Sequence, residues 1–331
     1  MKKTTKITAI FMVMALLMMT MAGCGEKKDE GSADGGSDKV YKIGIVQQLE
    51  HPALDQATEG FEQALKDKLG DKVEFDLQNA QNEQANCATI SQGFVSEKVD
   101  LIMANATNAL QAASAATADI PIVATSVTDY ATALNIEDWT GATGTNVTGT
   151  SDLAPLNEQV EMITELVPDV KQVGLLYCSA EANSVYQIKE VEKFLDEKNI
   201  KYKEYAAADS NEIQAVTTKA VSECDCLYIP TDNTMAQSTE TINNVAKPAG
   251  VPIIAGEEGI CKGCGIGTLT ISYYDIGYAA GEMAYEILVN GADPATMEVQ
   301  TAKNVTKKFN EELCKALNIT VPEGYTAIEA E

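Results

Sequence analysis

The sequence predicts an α/β protein of two doubly wound, parallel-sheet lobes joined by about three crossover segments. Three observations carry that expectation. The chain has 331 residues, more than one ordinary core accommodates at roughly 100 to 200 residues per domain. Short β-branched runs alternate with longer amphipathic segments, the pattern of βα units whose right-handed crossovers build a parallel sheet. The alternation also runs through twice, with a Gly- and Thr-rich stretch, Gly141 to Thr150, between the two passes. Hydrophobic residues at 45% against 22% charged fit a packed globular chain and exclude a disordered or polytopic one.

The N-terminus reads as an export signal. Lys2, Lys3 and Lys6 precede an apolar run from Ile7 to Met21, shorter than the roughly 20 residues a spanning helix needs. The run ends at Met21-Ala22-Gly23-Cys24. Small residues directly before a cysteine resemble the bacterial lipoprotein cleavage box, with Met21 standing where leucine is commoner. That resemblance makes residues 1–23 a lipoprotein signal peptide and Cys24 the lipid-modified end of the mature chain; the plainer alternative is a secretory signal with an incidental cysteine. Residues 24–39 are rich in Gly, Ser, Asp, Glu and Lys, cannot bury a core and suit a flexible tether.

In the first pass the expected strands are Lys42 to Gln47, Val73 to Asn79, Leu101 to Asn105 and Pro121 to Val127, with helices starting near Ala53, Glu83 and Thr107. In the second they are Val173 to Cys178, Lys201 to Ala207, Cys226 to Thr231 and Pro252 to Ala255, with helices near Leu156, Asn183, Asn211 and Met235. A late strand, Gly267 to Ser272, leads into an amphipathic helix from Asp275 to about Val289. Returning that helix to the first lobe and the tail to the second leaves both sheets covered. Lobe 1 is then residues 40–149 with 273–297, and lobe 2 is residues 150–272 with 298–331. The Gly141 to Thr150 stretch, extended and without helical period, is the expected first crossing.

Charge narrows the function. The formal net charge is −25, and no arginine occurs. Such a body repels phosphate backbones and anionic lipid surfaces, so nucleic acid is excluded as a partner. Without arginine, an anionic group must be held by backbone N–H groups, hydroxyls or a lone lysine. Ligands of parallel α/β sheets sit beyond the carboxyl ends of the strands, where helix N-termini aim their N–H groups. The candidates there are Gln47, Glu50, His51, Asn79, Asn105, Thr107, Ser126 and Asp129 in lobe 1, and Asn183, Ser184 and Asp232 in lobe 2. Thr107 and Ser184 are placed like N-caps, and capping is also the plain reading of Asp232. As a ligand residue, Asp232 is the best partner for an ammonium. Tyr273 and Tyr274 at the late crossing, with Leu54, supply an apolar wall, or simply pack between lobes.

Catalytic motifs are missing. His51 is the single histidine, and neither a Walker loop, a Gly-x-Ser-x-Gly elbow nor a His-Glu-x-x-His pair is present. Gly263-Cys-Gly265-Ile-Gly267 precedes a strand and so is a turn, not a dinucleotide loop. Cys224 and Cys226 begin a strand, whereas Cys261 and Cys264 follow the end of the next one. At about 3.3 Å per residue those ends lie about 20 Å apart, which argues against a shared zinc. No metal and no cofactor is expected. Cys261 and Cys264 are either a local disulfide or two small apolar thiols.

Several blocks together resemble a known family: Gln48-Leu-Glu-His-Pro-Ala-Leu-Asp55 with Gly60-Phe61, Gly144 to Asp152, Leu176 to Ser184, Tyr228 to Asn233, and Tyr274-Asp-Ile-Gly277. They are similar, in order, to the substrate-binding lipoproteins of ABC importers, in the branch associated with tryptophan, tyrosine and phenylalanine uptake. The likeness runs from about residue 40 to 320. It implies a type I periplasmic-binding-protein-like fold, a monomer anchored by lipid on the outer face of the cytoplasmic membrane, and a cleft that closes on a small ligand, here an amino acid, for delivery to a permease driven by an ATPase. It also implies that Glu50, His51 and Asp55 face the cleft, with Asn183, Ser184 and Asp232 opposite. Cys178, where such proteins often have Asn, and the Cys261 to Cys264 loop depart from the pattern. Two other functions remain open at this level: a ligand sensor feeding a signalling partner, and an extracytoplasmic hydrolase using Glu50 and Asp232 as a carboxylate pair.

Overall fold

The structure, a computed structural model, describes residues 39–329. The expected signal peptide, Cys24 and nearly all of the expected tether lie outside the described residues. The first pass is β1 (Tyr41–Gln47), α1 (Pro52–Leu69), β2 (Val73–Asn79), α2 (Gln84–Glu97), β3 (Leu101–Asn105), α3 (Thr107–Ala116), β4 (Ile122–Val127), the short α4 (Tyr130–Leu134) and β5 (Val147–Ser151). The second is α5 (Leu156–Leu166), β6 (Gln172–Cys178), α6 (Ala182–Glu197), β7 (Lys201–Ala207), α7 (Ile213–Glu223), β8 (Cys226–Ile229), α8 (Asn233–Gln237), α9 (Thr239–Ala249), β9 (Ile253–Ala255), α10 (Glu258–Cys264) and β10 (Gly267–Thr270). The chain then returns through α11 (Tyr273–Asn290) and β11 (Gln300–Thr301) and leaves again for β12 (Thr306–Phe309), α12 (Glu311–Ala316) and β13 (Thr326–Ala327).

Two sheets result. The first has the order β11-β5-β4-β3-β1-β2 and is parallel throughout. The second has the order β13-β12-β10-β9-β8-β6-β7 and is parallel except where β12 runs antiparallel to β10. The central strands β3, β4 and β8 are buried along their whole length, as strands covered by helices on both faces must be. Three segments cross between the sheets, at residues 152–155, 271–272 and 302–305.

The first crossing lies later than the sequence suggested. Val147–Ser151 is not a strap but the buried strand β5, because its β-branched residues fit a pleated, covered surface. The first sheet also takes Gln300–Thr301, so lobe 1 extends past the expected limits at 149 and 297. The Gly263 to Gly267 segment is the end of α10 and the start of β10. On that helix Cys261 and Cys264 are free, buried thiols, as are Cys87, Cys178, Cys224, Cys226 and Cys314, which decides against the disulfide alternative.

Helix α11 belongs to the first lobe by its packing. α1 buries Ala53, Leu54, Ala57, Thr58, Gly60, Phe61, Ala64 and Leu65 on one face, three and four residues apart. α11 lies against that face so closely that a Cβ on Gly277 would meet the Ala57 carbonyl oxygen at 2.0 Å, and one on Gly60 the Tyr274 oxygen at 2.2 Å. Phe61, Leu65, Ala280, Met283 and Ala284 then share a core with Ile43, Ile45 and Met103 of the sheet. Each such large side chain contributes about 1.5 to 3 kcal/mol by leaving water.

Candidate functional site

The carboxyl ends of both sheets face the same cleft, and the polar residues buried there come from the loops that leave them. In lobe 1, β1 is followed by Gln48 and His51, β3 by Ala106 and Thr107, and β4 carries Ser126 one residue before its end. Ala106 (φ 81°) and Ser126 (φ 56°) both hold left-handed backbone, a conformation that costs non-glycine residues energy and gathers at functional sites. Ser126 lies where the register between β4 and β5 shifts. Asn105 donates through Nδ2 to the Leu54 carbonyl at 2.8 Å and to Thr58 Oγ1 at 3.0 Å, tying β3 to α1.

In lobe 2 the loop after β6 carries Glu181 and leads to Asn183 and Ser184 on the first turn of α6. Asp232 caps α8 by accepting from Met235 N at 2.8 Å and also accepts from Cys178 N at 2.6 Å. Glu257 caps α10 through the Gly259 and Ile260 amides. Glu181 accepts from the amide and Nδ2 of Asn233 and from the amide and hydroxyl of Thr234. Asp152, at the first crossing, accepts from Thr128 at 3.0 Å and from the Tyr273 hydroxyl at 3.1 Å.

The electrostatics are one-sided. Asp152, Glu181, Asp232 and Glu257 are the carboxylates buried among the described residues, each follows a strand's carboxyl end, and no described lysine is buried. Burial pushes Asp152 up to about 6, against the two hydroxyls that hold it. Burial, and then the charge of Glu181, pushes Asp232 up to about 7. Burial raises Glu257 as well, opposed by His51 and by the amides it caps. A carboxylate in a dry site without a cation shifts in this direction.

Six buried side-chain polar atoms in the described residues lack a partner, and four of them stand at these loops: His51 Nδ1, Asn105 Oδ1, Ser126 Oγ and Asn183 Oδ1. Their roles follow from their neighbours. Asn233 Nδ2 donates to Glu181 at 2.7 Å, so its Oδ1 faces His51 Nε2 at 3.2 Å, and that nitrogen must carry the proton. Nδ1 is the ring atom left without a partner. Asn105 and Asn183 spend Nδ2 on internal acceptors, leaving their oxygens open. The cleft therefore presents two unmet amide oxygens, one hydroxyl and one ring nitrogen.

Not every expected residue reaches this site. Asn105, Thr107, Ser126, Asn183, Ser184, Asp232, His51 and Tyr273 are buried at the loops described. Gln47 is buried, but its amide is taken up by the Leu49 carbonyl and by Asp55 and Thr58 of α1. Glu50, in the loop after β1, and Asn79, at the end of β2, are exposed and line a groove with Asp55, Glu59 and Glu62. Glu50 is exposed and Asp232 is buried, so the two share no enclosed site of the kind a catalytic carboxylate pair needs. Asp129 caps α4. Thr107 and Ser184 are not caps: the N-cap positions are Ala106 and Glu181, and both residues lie within the first helical turn. Tyr274 stacks on Tyr278, ring centres 6.3 Å apart, along α11, away from the cleft. Asp152 was not singled out, nor was Glu181 by itself, since only tertiary folding shows that these acids are buried.

Two lobes, a cleft at the sheet ends and unmet polar atoms inside it define a protein that closes on a small solute. The family of ABC transporter substrate binding proteins matches residues 42–330, and the chain belongs to that family. A tyrosine-binding protein of Clostridioides difficile is 35% identical over 324 residues, 96% of this chain and 93% of that one. The structure of an ABC domain in complex with L-Trp from Streptococcus pneumonia is 32% identical, with a TM-score of 0.83 over 88% of this chain and all of that one. A ligand-free, open substrate-binding protein with adhesive properties from Clostridium difficile is 35% identical over similar coverage, 88% and 100%, yet its TM-score is 0.68. At near-equal identity the chain is more like the occupied structure than the open one, and its lobes touch across the cleft through His51 and Asn233.

Proposed function

We propose that this protein is the extracytoplasmic receptor of an ABC importer, held to the membrane by lipid on Cys24, and that it captures an amino acid, with aromatic side chains favoured, for delivery to a permease and its ATPase. It works as a monomer. The observation that carries the reading is the pair of unmet acceptors Asn105 Oδ1 and Asn183 Oδ1, with Ser126 Oγ and His51 Nδ1 also unpartnered, in a cleft of four buried carboxylates without a buried lysine. Such a site calls for a compact cation with several N–H donors, and an α-ammonium group is one. The ligand's carboxylate would be received by hydroxyls such as Ser126 and by amides at the starts of α3 and α6, since no arginine exists to clamp it. Leu49, Leu54 and Ala106 form a small separate apolar cluster beside the first loop that suits a ring. The relatives named for tyrosine and crystallised with L-Trp support the aromatic preference.

Titration calorimetry against the twenty amino acids and common sugars tests this. Tyrosine, tryptophan or phenylalanine should bind and raise the melting temperature. Binding of a sugar, or of no amino acid, would overturn the assignment.

A further inference from the structure

A second set of hydrogen bonds spans the cleft without using the unmet atoms. It starts at the first turn of α3, where the Asn108 amide donates to Gln48 Oε1 at 3.2 Å. Gln48 Nε2 donates to Asn82 Oδ1 at 2.9 Å, Asn82 Nδ2 crosses to Thr234 Oγ1 at 2.9 Å, and the Thr234 hydroxyl donates to Glu181 Oε1 at 2.6 Å. Each amide has only one orientation that satisfies both neighbours, so the donors all point from lobe 1 to lobe 2. Asn82 is set for this by the turn after β2, where its backbone is left-handed (φ 62°) and its amide donates to the Gln48 carbonyl. The His51 to Asn233 bond is parallel, with the donor again in lobe 1.

Both paths end on one carboxylate. Glu181 is 1% exposed and accepts five hydrogen bonds, from Asn183 Nδ2, Asn233 N and Nδ2, and Thr234 N and Oγ1. It faces donors only. That requires Asn233 to show its oxygen and Thr234 its lone pair to the opposite lobe, and chains of hydrogen bonds with one polarity strengthen one another.

We propose that Glu181 is a positioning residue for ligand capture: it fixes Asn233 and Thr234 as acceptors for His51 and Asn82, and these bonds latch the two lobes shut through protein groups alone. The proposal rests on the reading of the cleft as a solute trap. The latch adds to the lifetime of the closed state whatever occupies the cleft, so Asn82, Thr234 and Glu181 set the rate of ligand escape without selecting the ligand.

The test separates latch from ligand. Asn82 is half-buried in a surface turn with left-handed backbone, so N82A removes the side chain at a local backbone strain that open and closed forms share; T234V and E181Q act at the other end, the latter placing an amide donor among donors. With L-tyrosine and L-tryptophan as probes, N82A should speed dissociation about 3- to 10-fold, the worth of one neutral hydrogen bond, with the association rate within about twofold. The N82A/T234V pair should fall short of the product of the single effects. Without ligand, N82A and E181Q should show a larger radius of gyration by X-ray scattering than the wild type. Unchanged dissociation in N82A, or fully multiplicative effects in the pair, overturns the latch. If the wild type binds neither probe, the solute reading falls and the scattering comparison decides the latch by itself: expansion supports it, and superimposable curves reject it.

Discussion

Ser126 is the residue where fold and function can be pulled apart. Its hydroxyl is buried without a partner, so truncation removes nothing that the empty protein uses, while its backbone stands in the left-handed region at φ 56°. S126A should therefore leave the melting temperature within about 1 °C and weaken binding of the cognate amino acid; a hydrogen bond to a charged group is worth about 1.5 to 3 kcal/mol, or roughly 10- to 100-fold. S126G should weaken binding by as much and stabilise the free protein by about 1 kcal/mol, because glycine relieves the backbone. Calorimetry and thermal melts on both variants check this, and full affinity in S126A would remove Ser126 from the site. Asp152 makes a second prediction at this scale. Its carboxyl rises from the ordinary 3.8 to about 6 on folding, so the native state holds the proton more tightly than the unfolded chain. The stability it contributes is complete below about pH 4 and is lost as pH rises through about 6, a change on the order of 2 to 3 kcal/mol. Asp232, raised to about 7, has the same sign. D152N mimics the protonated form, so denaturant midpoints for the ligand-free variant should fall less steeply than the wild type's between pH 4 and 7; parallel profiles would sink this account. Residue roles were legible in proportion to how local they are. Ser126 and Asn183 announce themselves as polar residues at strand and helix ends, whereas Glu181 sits within Ser179 to Ser184 with nothing in the sequence to say that its side chain turns inward to gather α8.

At the scale of elements, periodicity exposed what is long and covered. β1 to β4, β6 to β9 and the amphipathic helices follow from β-branched runs and 3.6-residue spacing, because burial writes itself into composition. β11 and β13 have two residues each and are exposed, so no pattern marks them; they are strands because a neighbouring edge is there to receive them. β5 was mistaken for a strap since its glycine and threonines read as extended without saying which sheet they join. The contact of α1 with α11 is the least visible and the most demanding. Gly277 and Gly60 allow the helices to approach backbone to backbone, and α11 is also the element that leaves the second crossing. G277A should lower unfolding free energy by about 1 to 3 kcal/mol, the usual cost of overpacking, measured as a lower denaturant midpoint with unchanged slope. Gly291, where α11 ends at φ 71° and a Cβ meets nothing within 4 Å, is the control: G291A should cost about 1 kcal/mol through backbone strain alone. A G277A midpoint equal to the wild type's would mean that the helices slide apart freely.

For the whole molecule, charge and anchoring oppose each other. A body with a formal charge of −25 is repelled by an anionic membrane surface, yet the proposed function keeps it beside a permease. Adsorption cannot do this, and no helix of the described residues is long and apolar enough to cross a membrane. The proposed acylation of Cys24 would supply the retention that the charge opposes. A single acyl chain gives only marginal, reversible binding, and repulsion erodes it further, so the anchor should carry at least two chains. Mass spectrometry of the membrane-extracted protein should find Cys24 at the mature N-terminus with the mass of two or more acyl groups, and detergent phase separation should place the wild type in the detergent phase. C24S should lose the lipid and appear either unprocessed or in the aqueous phase, while the exported body keeps its affinity for the amino acid, since the cleft draws on residues from His51 onward. Equal membrane retention of C24S at high and low salt would show that something other than lipid holds the protein, and dependence of that retention on salt would identify the holder as a basic partner surface.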